Sequence, residues 1–177
     1  MSEFNSAKPI GSIYENSFRE KEKKLVSEQD KLVDFVCYCL NPNHYHFVLK
    51  QLTDNGISQF MHKVSTGFTN YFNLKHKLSG SLFQGRFRAL HVNSNEYLLH
   101  LSAYVNLNDK VHQLRSSTPK LSKSSWGEYK NHENGFCNKK IILEQFKDRD
   151  SYEVFAESAL LTIQNRKEME RSLSLGS

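Results

Sequence analysis

The sequence predicts an α+β domain, and three observations carry that expectation. An apolar run, Val33 to Leu40, rich in β-branched and aromatic residues, precedes Asn41-Pro42-Asn43, and a second run follows from His44 to Lys50. Pro42 interrupts any helix there, so the two flanks read as strands joined at a turn. Downstream, apolar residues recur at spacings of three and four, the mark of amphipathic helices. At 177 residues the chain is long enough for one well-buried domain and short for two.

In the second strand successive side chains point to opposite faces, so His44, His46 and Val48 share one face while Tyr45, Phe47 and Leu49 share the other. At about 3.3 Å rise per residue the two imidazoles lie roughly 6.6 Å apart along one face, close enough to converge on a single cation. A histidine pair on a sheet is also often plain surface, and the spacing alone leaves both readings open. The opposite face is apolar or aromatic throughout and is expected to lie on the core.

Composition narrows the classes. The 24 Lys+Arg against 19 Asp+Glu give +5, with 38% hydrophobic and 12% aromatic residues and eight histidines. That balance suits a nucleic-acid partner without demanding one. Cys37, Cys39 and Cys137 make an odd count with no Cys-x-x-Cys pair, so neither a disulfide framework nor a zinc ribbon is indicated. Cys37 and Cys39 read as core thiols in a reducing compartment. No apolar run reaches 18 residues and no signal-peptide pattern opens the chain; the expectation is a cytoplasmic protein.

Taken in order, residues 1–32 are polar and of mixed charge, an N-terminal loop or peripheral helix, with Ser17 to Lys31 as a solvated helix. After the hairpin, Asp54-Asn55-Gly56 signals a turn, and Ile57, Phe60, Met61, Val64, Phe68, Tyr71 and Phe72 form one helical stripe. Lys63, Lys75, His76 and Lys77 lie off the stripe or beyond it, where they either track a phosphate backbone or form a solvated face. Leu82 to Val92 reads as a strand, with Gly85 marking a bulge. Gln84, Arg86 and Arg88 there are interleaved with aromatics, a face that holds phosphate by charge and bases by stacking, or else keeps an edge strand soluble.

Asn93 and Glu96 make a capping box that starts a helix near Ser94. Leu98, Leu101 and Val105 form its buried stripe; Tyr97, His100, Tyr104 and Asn108 trace an adjoining one, Tyr104 and Asn108 being neighbours at a spacing of four. Residues 107–135 read as a long loop anchored by Trp126 near Tyr129. Asn138 then caps a short helix holding Ile141, Ile142, Leu143 and Phe146. A last helix from Ser151 carries Tyr152, Phe155, Ala159, Leu160 and Ile163, before a tail at 171–177.

Three blocks, Asn43-His44-Tyr45-His46, Gly80-Ser81-Leu82-Phe83-Gln84-Gly85-Arg86-Phe87, and Tyr97-Leu98-Leu99 through Tyr104-Val105-Asn106-Leu107-Asn108, stand in the order and rough spacing of a known family. Together they resemble the single-tyrosine HUH transposases, and within them the stand-alone REP-associated tyrosine transposases; the resemblance covers residues 33–170. It implies a ferredoxin-like α+β fold, an antiparallel sheet with helices packed on one face. Family members usually begin with a strand of the pattern Tyr-His-x-x-x-Arg-Gly; that strand is not found here, so the implied sheet lacks its first strand.

The resemblance further implies metal ligands at His44, His46 and Asn108, a nucleophile at Tyr104, and Mg2+ or Mn2+ as cofactor. Gln84, Arg86, Arg88 and Lys63, read from their charge and the aromatics interleaved with them, are the expected DNA contacts. The reaction would be nicking and rejoining of single-stranded DNA at hairpins through a 5′-phosphotyrosine. Two imidazoles and an amide oxygen leave positions open for phosphate oxygens, unlike a closed structural zinc site. The family commonly has Asn-Pro where this chain reads Leu107-Asn108-Asp109-Lys110, with Asn108 retained. A non-cutting, domesticated hairpin-binding module is the alternative, and a structural protein with incidental histidines a third reading; homodimer and monomer both stay open.

Overall fold

The computed structural model describes residues 4–8, 30–111, 121–131 and 133–174, with the side chains of the last helix described to residue 165. The expected helix over Ser17 to Lys31 falls almost wholly outside the described residues. Two strands, β1 (Val33–Leu40) and β2 (Tyr45–Gln51), meet across the turn at Asn41 to His44, a connection so short that only an antiparallel pair can form. A short third strand, β3 (Lys123–Ser124), completes the order β2-β1-β3 and pairs antiparallel with β1 in the register Cys39↔Ser124, Leu40↔Lys123. The architecture is the α+β class that the sequence predicts. Among the described residues no strand precedes Val33.

The chain divides into two compact units, one of Met1–Asp34 with Lys50–Leu90, the other of Phe35–Leu49 with His91–Ser177. In the first, helix α1 (Gly56–His76) starts at Asn55, which adopts φ 56°. Gly56 is required there: a Cβ would come within 2.3 Å of the Leu32 carbonyl oxygen. Its buried residues, Phe60, Met61 and Val64, belong to the predicted stripe, but the stripe runs out of cover, and Phe68 and Leu74 are exposed. The helix ends at Lys77, φ 53°, with Leu78 N–H donating to the Asn73 carbonyl (2.9 Å), a left-handed C-cap. The Asn5 carboxamide stands in for a short strand, accepting from Leu32 and Val33 N–H (3.1 and 2.9 Å) and donating to the Val33 carbonyl (2.6 Å).

The strand expected over Leu82 to Val92 does not form; the stretch is irregular and mostly exposed. Its would-be packing face, Phe83-Gly85-Phe87-Ala89, carries two residues with little to bury, and Phe87 and Leu90 are exposed. Without a partner strand and an apolar face a strand does not hold its backbone.

In the second unit, helix α2 (Asn95–Asn106) is capped by Ser94, whose Oγ accepts from Tyr97 N–H (3.2 Å), one residue after the cap that the spacing suggested. After Leu107 a short helix α3 (Asn108–Val111) begins. Then come β3, α4 (Trp126–Lys130), α5 (Lys140–Leu143) and the long α6 (Arg149–Ser174), so the stretch expected as loop holds a strand and two helical turns. Tyr129 is the anchor that makes this possible: it is fully buried and its hydroxyl donates to the Val36 carbonyl (2.9 Å). The Arg149 guanidinium closes the other side, donating to the carbonyls of Glu128 and Tyr129 (2.9 and 2.8 Å).

The core of this unit gathers Val36, Cys37, Cys39, Val48, Ala103, Val105, Leu107, Tyr129, Ile142, Tyr152 and Ala156. Val48 is the buried residue of β2, whereas Tyr45, Phe47 and Leu49 are only half-buried. This reverses the expectation for β2. The aromatic face packs into a smaller set, Phe47 edge-on to Phe35 (5.4 Å) and Phe35 edge-on to Phe136 (5.0 Å), while the helical core lies on the face of Val48, which by strand alternation is the face of His44 and His46.

Candidate functional site

The turn that aims the first histidine is closed by Asn41 N–H donating to the His44 carbonyl (2.9 Å). His44 Nδ1 meets the Asn43 Oδ1 at 2.7 Å, and its Nε2 meets the Asn41 Nδ2 at 2.9 Å. An amide NH2 can only donate, so this pairing suits the neutral ring with its proton on Nδ1, whose Nε2 lone pair points inward. His46 stands beside it, the two rings edge to face with centroids 5.1 Å apart. The two imidazoles thus stand side by side, as two residues on one face of a strand should.

Helix α2 brings the remaining residues. The Tyr104 ring meets the His46 ring edge to face at 5.6 Å. Asn108, fully buried at the start of α3, sets its Oδ1 3.4 Å from His44 Nε2 and accepts from Asn41 Nδ2 at 2.8 Å. Its own Nδ2 is buried without a hydrogen-bond partner, an arrangement uncommon enough to mark a special position. Tyr104, His44, His46 and Asn108 thus meet in one unit although up to 64 residues separate them along the chain.

A buried polar network holds α2 in its rotation. Asn106 donates from Nδ2 to the Tyr152 hydroxyl (2.9 Å) and accepts at Oδ1 from Ser125 Oγ (2.6 Å). Tyr152 also meets Ser102 Oγ at 3.0 Å, and Ser125 Oγ accepts from Tyr38 N–H (2.9 Å), which ties α2 to α6 and β1. Sequence reasoning missed this network, because asparagine and serine near helix ends read as caps and turns.

Burial pushes the phenols of Tyr129 and Tyr152 well above their ordinary range, so both remain protonated donors or acceptors within the packing. Burial, then the nearby Asp109, pushes the Cys39 thiol up to about 11, and Cys39 stays a thiol facing Asn41 Oδ1 at 3.7 Å. Among the described residues no group of three or more His, Cys, Asp or Glu side chains is placed to hold a metal ion; a cation at this place would use the two histidines and an amide oxygen. The chemistry of the donor set suits one: an imidazole nitrogen and an amide oxygen stand 3.4 Å apart, with the His46 ring beside them.

The four residues read as DNA contacts lie in the other unit. Gln84, Arg86 and Arg88 are exposed. Lys63 is engaged differently: its ammonium donates to the backbone carbonyls of Ser6 and Lys8, the latter at 2.9 Å.

Among the described residues no helix is long and apolar enough to cross a membrane. The family described as "Transposase IS200 like" matches residues 11–108, more than half of the 177-residue chain. The match starts upstream of Val33 and ends at Asn108. No curated protein and no solved structure matches the chain.

Proposed function

The chain belongs to the IS200-like transposase family, and from that premise we propose that it nicks and rejoins single-stranded DNA at hairpins, with Tyr104 as the nucleophile and His44, His46 and Asn108 as ligands of Mg2+ or Mn2+. The family makes it a DNA-processing enzyme in transposition. One observation supports the finer reading: Tyr104 lies against His46, ring centroids 5.6 Å apart, while Asn108 Oδ1 lies 3.4 Å from His44 Nε2, so the proposed nucleophile and ligands are neighbours.

In this mechanism the Tyr104 oxygen attacks phosphorus. A bond forms between Tyr104 Oη and the 5′-phosphate, the bond from phosphorus to the 3′ oxygen breaks, and the phenol proton is balanced by the proton gained at the freed 3′-hydroxyl. A bound divalent cation supplies Lewis-acid neutralisation of the charge that develops on the phosphate oxygens. The Asn106 network fixes the helix that carries Tyr104, and a nucleophile held in near-attack geometry gains rate by orientation alone. Because the covalent phosphotyrosine keeps the energy of the broken phosphodiester, attack by another 3′-hydroxyl rejoins the strand without ATP.

Gln84, Arg86 and Arg88, exposed and cationic or amide-bearing, are suited to the phosphate backbone. Lys63 is left out of this set, because its donors are directed at Ser6 and Lys8.

The test is cleavage of a panel of single-stranded hairpin oligonucleotides with Mn2+, read on a denaturing gel as a protein-DNA adduct. The adduct is expected with the natural chain and absent from Tyr104→Phe, which still binds the hairpin. An adduct surviving in Tyr104→Phe would sink the assignment of the nucleophile; binding without any adduct would favour a hairpin-binding protein that no longer cuts.

A further inference from the structure

The residue that stands between the two proposed ligands is Asn41. Its Nδ2 lies 2.9 Å from His44 Nε2 and 2.8 Å from Asn108 Oδ1, so one NH2 group satisfies both lone pairs that a cation would use. On its other side Asn41 Oδ1 accepts from Ser122 Oγ at 2.8 Å. We propose that Asn41 is a fourth protein ligand of the cation site: its carboxamide turns over as the cation enters, withdrawing the NH2 and presenting Oδ1 beside His44, His46 and Asn108.

The argument is one of charge and tether, and it rests on the cation reading of these residues given above. An NH2 group carries positive partial charge and cannot remain aimed at two atoms that have turned their lone pairs to a cation. The backbone of Asn41 is held by its own N–H to the His44 carbonyl, at 2.9 Å, and its side chain is anchored at the outer end by Ser122 Oγ, at 2.8 Å. Rotation about the terminal torsion is the motion left, and for asparagine that torsion is broad and two-fold. The outer contact survives the turn, because a hydroxyl both donates and accepts: Ser122 Oγ, which now donates to Oδ1, would accept from Nδ2. Cys39 Sγ, which faces Oδ1 at 3.7 Å, is a weak donor and a weak acceptor and can follow the same exchange, so each of these partners has a role in both orientations. The NH2 keeps His44 and Asn108 poised without the cation, and an amide oxygen, a hard neutral donor, suits Mg2+ or Mn2+ with it.

The experiment titrates the full chain with Mn2+ alone, without DNA, following free Mn2+ by electron paramagnetic resonance. It compares the natural chain with His44→Ala, Asn41→Ala and Asn41→Asp, each checked for folding by circular dichroism. Asn41→Ala should bind Mn2+ about tenfold more weakly, the loss of one ligand being taken at about 1.4 kcal/mol. Asn41→Asp, which keeps the size and the acceptor and adds charge, should bind more tightly than the natural chain. Binding by Asn41→Ala as tight as, or tighter than, the natural chain would overturn the inference, since the NH2 would then only compete with the cation. If Asn41→Ala does not fold, Asn41→Asp decides, and weaker binding there overturns it equally. Loss of Mn2+ in His44→Ala with none in Asn41→Ala leaves the proposed cation site standing and removes only Asn41. No binding by the natural chain removes both.

Discussion

Replacing Tyr152 by phenylalanine removes a single oxygen from a site with almost no exposure. That oxygen accepts from Asn106 Nδ2 at 2.9 Å and exchanges a hydrogen bond with Ser102 Oγ at 3.0 Å. Ser102 keeps a partner, since its hydroxyl also donates to the Leu99 carbonyl at 2.7 Å. Asn106 does not: a fully buried amide N–H is left without this acceptor, a loss worth about 1–3 kcal/mol. Tyr152→Phe should therefore cost about 2 kcal/mol, roughly 1 M in urea midpoint at an m-value near 2 kcal/mol/M, read by far-UV circular dichroism. Asn106→Ala and the double variant complete a cycle in which the pair should couple by about 1–2 kcal/mol. Activity should fall more than stability explains, because Asn106 lies between Tyr104 and Asn108. A loss below about 0.5 kcal/mol, or no coupling, would refute the claim that this network fixes the helix.

Gly56→Ala should cost about 1–3 kcal/mol by forcing a Cβ against the Leu32 carbonyl, and a melting temperature unchanged by it would refute the close approach. Alkaline pH should destabilise the fold: burial first, with Asp109 for Cys39 and Glu128 for Tyr38, raises the Cys39 thiol from 9.0 to about 11 and the Tyr38 phenol from 10.0 to about 12. Folded-state values above the unfolded ones mean that stability is whole below about pH 9 and is lost between about pH 9 and 12, by up to about 1.4 kcal/mol per pH unit for Cys39 and by less for Tyr38, whose partial exposure screens it. Melting curves at pH 7, 9 and 10.5 check the sign. Arg86→Ala and Arg88→Ala should leave melting within about 0.5 kcal/mol of the natural chain. They should also lower the salt dependence of hairpin binding by about 0.7–0.9 in slope for each phosphate that the arginine no longer neutralises. Lys63→Ala should do the reverse, costing about 1–2 kcal/mol of stability through the carbonyls of Ser6 and Lys8 with little change in hairpin affinity.

The candidate site was legible because both of its elements follow a strict period. Alternation in a strand puts His44 and His46 on one face, and a spacing of four puts Tyr104 beside Asn108; neither depends on the rest of the fold. Which face of β2 meets the helices was not legible. Tyr45, Phe47 and Leu49 offer more apolar surface than Val48 with two histidines, yet the helical core covers Val48. The strand expected over Leu82 to Val92 failed for a related reason: local alternation was present, but a partner strand is a long-range fact. The turns around Tyr129 were missed because one buried aromatic, with its hydroxyl on the Val36 carbonyl, orders a stretch that is otherwise polar.

Asn106 and Asn108, two residues apart and both without exposed surface, show how one helix end serves stability and chemistry together. Asn106 uses both ends of its amide within the protein, on Tyr152 and Ser125. A buried amide held at both ends tolerates one arrangement, so it fixes the rotation of the helix rather than merely adding to its stability. Asn108 is held by one end: Oδ1 takes the Asn41 NH2, and Nδ2 has no partner. A structural role alone would favour an apolar side chain there, since an unpartnered buried donor costs about 1–3 kcal/mol. The asymmetry is explained if the Oδ1 of Asn108 has a second, stronger occupation. Asn108→Leu, similar in size and without the unpartnered donor, should then melt no lower than the natural chain while losing Mn2+ binding. An Asn108→Leu chain that binds Mn2+ as the natural one does would show that this buried amide has a purpose other than ligation.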